Sequence, residues 1–162
     1  MLQAISLWQP WATAMFLPAP AGHQGWMKAI ETRHWPAPRR YVGQLVAIHA
    51  AKHRDSDCTD AIEYAEHLGY FPRGLRIPRG CIVGVARLER VVRVEDVRDT
   101  LAKHEAFFGN YDDGRFGWVF GERWALPRFD EPEVRGQQGF WTLSTTEEEQ
   151  IRRLLGAEAA HA

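Results

Sequence analysis

An α+β domain built on a mixed or closed sheet of five or six short strands is the fold class that this sequence predicts, and three observations predict it. Strand-like stretches recur along the chain, but they are separated by turns and short helical patterns and do not alternate with helices as βαβ units require. Apolar residues make up 45% and charged residues 25% of the 162 positions, the ordinary balance of a globular chain with one core. Proline and glycine fall in short clusters, which punctuate elements and do not produce low-complexity stretches. The expected organisation is one domain over residues 1–145, followed over 146–162 by a C-terminal helix and a frayed Ala-rich end at 157–162.

Each element follows from local pattern. Gln3–Leu7 alternates weakly and forms a first strand, and Pro10 in Trp8-Gln9-Pro10-Trp11 sits where a brief helix over 12–16 can begin. Pro18 and Pro20 remove amide donors and end that helix in a loop. A strand over 29–33 comes next, then the rigid, cationic segment 35–40, then an apolar strand over 44–50. Ile62, Ala65 and Leu68 recur at helical spacing over 57–68, opposite an acidic face, which predicts an amphipathic helix covering the sheet. Residues 81–94, rich in Val and Ile, predict the longest strand, and a helix is expected over 95–104 and a loop over 107–117. Strands over 118–129 and 139–143 close the sheet, and Thr145 with Glu148 forms a capping box for the last helix.

A net charge of −1 excludes a protein that coats nucleic acid by bulk electrostatics, but the charge is segregated. Residues 28–54 carry six Lys or Arg against Glu31 alone, and residues 73–93 carry six Arg against Glu89 alone. Asp55, Asp57, Asp60, Glu63 and Glu66 lie between them. Such windows attract phosphate locally, and solvated surface strips give the same counts. No apolar run approaches the roughly 20 residues that span a bilayer, and the N-terminus lacks the basic start of a secretory signal, so the cytoplasm is the expected location. Cys58 and Cys81 show no CxxC spacing and are expected to be buried, reduced thiols.

Four segments carry candidate chemistry. Trp8, Gln9 and Trp11 put two indoles and an amide in one turn at the end of a strand; indole faces stack on bases and Gln reads a base edge, or the tryptophans belong to the core. In Lys28-Ala29-Ile30-Glu31-Thr32-Arg33, two-residue alternation places Glu31 and Arg33 on one face and Ile30 and Thr32 on the other, with Lys28 reaching in from the turn before. A carboxylate clamped by two cations preorganises donors for a phosphate or base carbonyl; Lys28 and Glu31 as an acid/base pair, or a plain salt bridge, are the alternatives. His49 and Lys52 add a titratable ring and an ammonium at a strand end, with His49 as cleft wall or as core. The four-residue spacing of His49 and His53 suits a metal only on a helix, and this segment reads as strand and turn, so no metal is expected. Gly136 and Gly139 flank two amides, Gln137 and Gln138, where the backbone can pass close to a ligand or another chain. With no P-loop, no GxSxG elbow and no GxGxxG, no cofactor is expected.

Taken in order, Ile5-Ser6-Leu7-Trp8-Gln9-Pro10-Trp11-Ala12, Lys28-x-x-Glu31-x-Arg33-x-Trp35 and Gly43-x-Leu45-x-x-x-His49-Ala50-Ala51-Lys52 resemble the ASCH family, with weaker matches at residues 78–84 and 135–141. The resemblance covers most of the chain up to Leu143 and implies a small PUA-like mixed β-barrel with short flanking helices. It implies binding of RNA or DNA, or of a nucleoside or nucleotide, in a cleft lined by Lys28, Glu31 and Arg33; no protein partner is read from it. Trp8, Trp11 and Trp35 would stack there, and Gln9, His49 and Lys52 would complete the ligand contacts. Some relatives hydrolyse acetylated cytidine and others are linked to RNA cleavage, which gives the second expectation, a hydrolase with Lys28 and Glu31 as catalytic pair. Glu31 stands where the amidohydrolases of the family have a threonine nucleophile, a departure that counts against that route and leaves Glu31 activating water, with Lys28 stabilising an oxyanion, as the alternative.

Overall fold

The computed structural model describes residues 1–159, with side chains described through Gly156. Six strands, β1 (Gln3–Leu7), β2 (Ile30–Arg33), β3 (Leu45–Ala50), β4 (Cys81–Arg93), β5 (Phe116–Ala125) and β6 (Trp141–Thr142), form one curled half-barrel sheet in the order β2-β5-β4-β3-β1-β6. Only β1 and β3 pair in parallel; every other pair is antiparallel, so the sheet is mixed as the sequence predicts. Four α-helices flank it: α1 (Trp11–Ala14), α2 (Ser56–His67), α3 (Lys103–Phe107) and α4 (Thr145–Ala159). None of the described helices is long and apolar enough to cross a membrane.

Alternation along the strands sorts the apolar residues into two layers. Ile5 and Leu7 of β1, Val46 and Ile48 of β3, and Trp118 and Phe120 of β5 meet on the concave side. Leu2, Ala4, Ala47, Ile82 and Val85 point to the other side, where α4 covers them with Ile151, Leu154 and Leu155. The last helix is thus the lid of the second layer. Its capping box lies one residue earlier than expected: Ser144 Oγ accepts from Glu147 N at 3.2 Å and Glu147 Oε2 accepts from Ser144 N at 2.8 Å. Glu148 is drawn away because its carboxylate accepts the Leu2 amide at 2.7 Å, fastening the helix to the first strand. The helical backbone runs to Ala159, through the first part of the tail expected to fray; residues 160–162 lie outside the described residues.

Two helical expectations are corrected. The amphipathic helix α2 does not cover the sheet: Ala65 packs with Ala14, Met27, Phe71 and Phe108 in a third cluster, and Leu68 falls beyond the last turn, exposed. The helix expected over 95–104 becomes two 3-10 turns, Val94–Asp96 and Arg98–Thr100, followed by α3, because Leu101 (φ −69°, ψ 140°) and Ala102 (φ −64°, ψ 152°) are extended and interrupt the helical ladder. The arginine-rich second window does not gather into one patch either. Arg76 pairs with Glu131 and Arg87 with Glu122.

The joint between sheet and helices is a buried guanidinium. Arg123 of β5 is 6% exposed and donates to four carbonyls, those of Gly121 (3.0 Å), Phe120 (2.6 Å), Met15 (2.7 Å) and Lys28 (2.8 Å). It ties the end of α1 and the start of β2 to β5. Its Cζ also lies 4.8 Å from the Trp26 ring centroid. No carboxylate among the described residues pairs with it directly, and burial pulls its pKa down to about 10. Arg123→Ala leaves those carbonyls without their charged donor and is expected to lower the unfolding free energy by about 3–5 kcal/mol in urea titration. Arg123→Lys should recover little, since an ammonium offers three protons against the five of a guanidinium. A wild-type midpoint in Arg123→Ala contradicts this role.

Candidate functional site

A cavity of about 520 Å³ opens between the end of β1, α1, the strand β2 and the turn that follows α3. Lys28, Glu31 and Arg33 line it together. The expected alternation is observed, with Ile30 and Thr32 buried and Glu31 and Arg33 partly exposed. The Lys28 side chain is 1% exposed, and its Nζ donates to the carbonyls of Ile30 and Phe108, both at 2.6 Å, and lies 3.2 Å from Glu31 Oε2. An ammonium has three protons, so every one of them faces a protein oxygen. Lys28 is therefore a buried strut that fixes Glu31, and it offers no spare donor to a ligand.

Arg33 completes the clamp from the other side. Its Nε donates to Glu31 Oε1 at 2.9 Å and its Nη2 to the Ser6 carbonyl at 2.9 Å, while Nη1 has no hydrogen-bond partner among the described residues. The guanidinium lies over indole rings, its Cζ 5.6 Å from the centroid of Trp118 and 6.0 Å from that of Trp35. The Glu31 carboxylate, 13% exposed, keeps acceptor capacity on both oxygens beyond these two bonds. Three cations line the cavity, Lys28, Arg33 and Arg115, against the single carboxylate.

Behind these residues stands a buried carboxylate with no sequence signal. Glu105 of α3 accepts the amides of Ala29 at 2.7 Å and Ile30 at 2.8 Å, which sets the direction in which the chain enters β2. Tyr111 donates its hydroxyl to the same carboxylate, and burial followed by the charge of Glu105 pushes that hydroxyl far above the usual phenol range. The Thr32 hydroxyl accepts from the Asn110 amide at 3.1 Å and so closes the turn on the cavity's far wall.

The remaining candidates divide. Trp8 and Trp11 line the cavity; Trp11 also packs on the concave core, whereas Trp8 is 51% exposed and stacks on His53 with ring centroids 3.8 Å apart. Trp35 is exposed outside the cavity lining and accepts from Trp118 Nε1 through its carbonyl. Gln9 is turned inward: it is fully buried, its Nε2 donates to the Pro78 carbonyl at 2.8 Å and its Oε1 accepts from the Thr13 amide at 2.9 Å. Both ends of that amide are engaged by backbone, and its oxygen serves one of the amides that the first turn of α1 leaves without a helical partner.

His49 and Lys52 belong to a second cavity, of about 710 Å³, lined also by Gly80, Gly136, Gln137 and Gln138. Ser6 lines both cavities. The Val134 carbonyl, 2.8 Å from His49 Nε2, can only accept, so Nε2 carries the proton and the Ser6 hydroxyl donates to Nδ1 at 2.9 Å. Both ring nitrogens are occupied, so His49 and His53 do not form a ligand pair. A Cβ at position 136 would stand 2.5 Å from His49 Cε1 and 2.7 Å from Ser6 Oγ, so the glycine serves this chain's own close approach. Elsewhere, donor atoms of His53, Asp55 and Cys58 lie within 4.8 Å of one another. Asp55 caps α2 through the Cys58 amide and also accepts from His53, which together hold its carboxyl at about 2. Cys58 and Cys81 are free and buried, and burial pushes the Cys81 thiol up to about 11.

No family model matches the chain, and no curated protein matches it. Solved structures do. The ASCH protein of Zymomonas mobilis superposes with a TM-score of 0.53 at 15% identity, over 94% of each chain. A Tyr-to-Phe variant of it gives 0.54 at 14% identity, over 94% of this chain and 96% of the other. A Ser-to-Ala variant gives 0.52 at 16% identity, over 94% of both.

Burial lowers the affinity of His49 for a proton; the bond to Val134 opposes this and Lys52 adds to it. The folded state therefore refuses a proton that the unfolded chain accepts near pH 6.5, so stability is complete above that value and falls as the pH drops below it. His104, lowered first by burial and then by His23, acts in the same direction. Melting temperatures between about pH 8 and 5 should decline on the acid side, and His49→Gln should shrink that decline. An identical decline in the variant contradicts the assignment. At this level of identity the likeness is one of architecture: the chain has the fold of ASCH-domain proteins.

Proposed function

We propose that the protein binds single-stranded nucleic acid, taking one nucleobase into the cavity of Lys28, Glu31 and Arg33. The observation that supports this most is the division of labour in the clamp: Lys28 is consumed by the protein, which leaves a fixed carboxylate and one guanidinium edge facing the cavity. A carboxylate accepts from the exocyclic amino group of a base, and Arg33 Nη1 donates to a ring carbonyl or a phosphate. Trp8 and Trp11 supply faces for stacking, and Arg115 adds a third positive charge at the wall. The resemblance of the motif segments to the ASCH family, together with the shared fold, favours a nucleic acid over other anionic ligands.

The hydrolase reading draws less support from the same atoms. A general acid must hand a proton to the substrate, yet Lys28 directs all three of its protons at Ile30, Phe108 and Glu31.

Titration with mononucleotides and short single strands, followed by tryptophan fluorescence, tests the proposal. Arg33→Ala and Glu31→Gln are each expected to weaken binding about tenfold, the scale of one charge-assisted hydrogen bond. Trp8→Ala, at an exposed position that leaves the core intact, should cost about 1–3 kcal/mol of affinity. Binding that all three variants retain at wild-type strength rejects the proposal.

A further inference from the structure

The two cavities lie on either side of one strand end, that of β1. Strands β1 and β3 run parallel and stop together, with the Ala51 amide donating to the Leu7 carbonyl just beyond the last pair. Side chains alternate across β1, so Leu7 belongs to the concave layer, whereas Ser6 turns its hydroxyl to His49 on the other face. Ser6 is also the point of contact between the cavities: its carbonyl takes Arg33 of the first, and its hydroxyl bonds His49 of the second. Trp8, of the first cavity, stacks on His53, the neighbour of Lys52, which lines the second.

The second cavity has its own polar character. Lys52 and Arg135 are exposed and make no ion pair among the described residues, and Gln137 and Gln138 are exposed amides beside them. Glu133 also lines the space, so two cations stand against one carboxylate. The Lys52 alkyl chain lies on Gly80, where an added Cβ would come 2.5 Å from Lys52 Cε, so the backbone there yields room for the stem that carries the ammonium.

We infer that the second cavity is a subsite for the neighbouring nucleotide of the same strand, so that the ligand is a phosphodiester-linked oligonucleotide crossing the Trp8–His53 rim between a base held at Glu31 and a phosphate held by Lys52 and Arg135. This rests on the nucleobase assignment of the first cavity. Lys52 and Arg135 neutralise the backbone, which is where a linked chain differs from a free nucleotide in charge, while Gln137 and Gln138 offer donors and acceptors to base or sugar. Trp8, half exposed and already backed by an imidazole, is the platform on which the strand turns from one cavity to the other.

Full-length protein titrated with a ladder of ribo- and deoxyribo-oligomers of about one to six nucleotides tests this, the two series separating RNA from DNA. Affinity is expected to rise about tenfold from mononucleotide to short oligomer, because the second contact is intramolecular once the first is made. In Lys52→Ala/Arg135→Ala, whose changes lie at exposed positions, the ratio of oligomer to mononucleotide affinity should collapse toward one. The slope of log affinity against log salt for the oligomer should shrink by about 0.7, the value for one lost phosphate contact to a single strand. Binding without length dependence in the wild type, or a length ratio that survives in the variant, overturns the second subsite and leaves the first intact. Failure of the wild type to bind any mononucleotide or oligomer overturns the nucleic-acid assignment itself and the subsite with it.

Discussion

An ammonium ion buried to 1% exposure is the constraint on which this structure turns. Taking Lys28 out of water is tolerable only because three oxygens, from Ile30, Phe108 and Glu31, replace its hydration shell. Those oxygens come from β2 and from the turn after α3, where Phe108 lies 80 positions from Lys28, so satisfying one charge brings together two walls of the cavity. The Lys28 amide and carbonyl are held as well, by Ala14 and Arg123. The residue is therefore fixed along its whole length, and Glu31 inherits that rigidity.

The electrostatic consequence reaches the open side of the cavity. A carboxylate between two cations keeps its direction, and neither cation can turn away without exposing the others to an uncompensated charge in a half-buried space. Preorganisation of this kind makes a weakly lined cavity selective, because the donors and acceptors do not have to be ordered when a ligand arrives. The Ser6–His49–Val134 chain does the same on the other face of β1, holding a neutral imidazole where a protonated one would be desolvated. One strand end thus separates two polar hollows, each built around a buried polar group that the protein's own atoms hold in place.

Much of this was legible in residue pattern. Alternation over 29–33 gave the correct facing of Glu31 and Arg33, and the mixed sheet followed from short strands without βαβ spacing. What escaped the pattern was governed by tertiary partners. Gln9 carries a polar amide in an indole-rich turn, which points to a ligand until the Pro78 carbonyl and the Thr13 amide are seen to use both of its ends. Lys28 was recognisable as part of the clamp, but not as an ammonium already saturated by carbonyls, since backbone oxygens leave no mark on a sequence. Glu105 and Arg123 sit among ordinary charged neighbours, and only burial distinguishes them. Ser144 and Thr145 both begin a capping box by spacing, and the Leu2 amide decided between them by taking Glu148.

The coupling between Lys28 and Glu31 is the quantity that tests the account most directly, and a double-mutant cycle on unfolding free energy measures it. With Lys28→Met, Glu31→Gln and the double variant compared in urea, the double should lose distinctly less than the sum of the singles, a coupling of about 1–3 kcal/mol. Additive losses would mean that the ammonium and the carboxylate do not depend on each other, and the clamp would cease to explain the cavity.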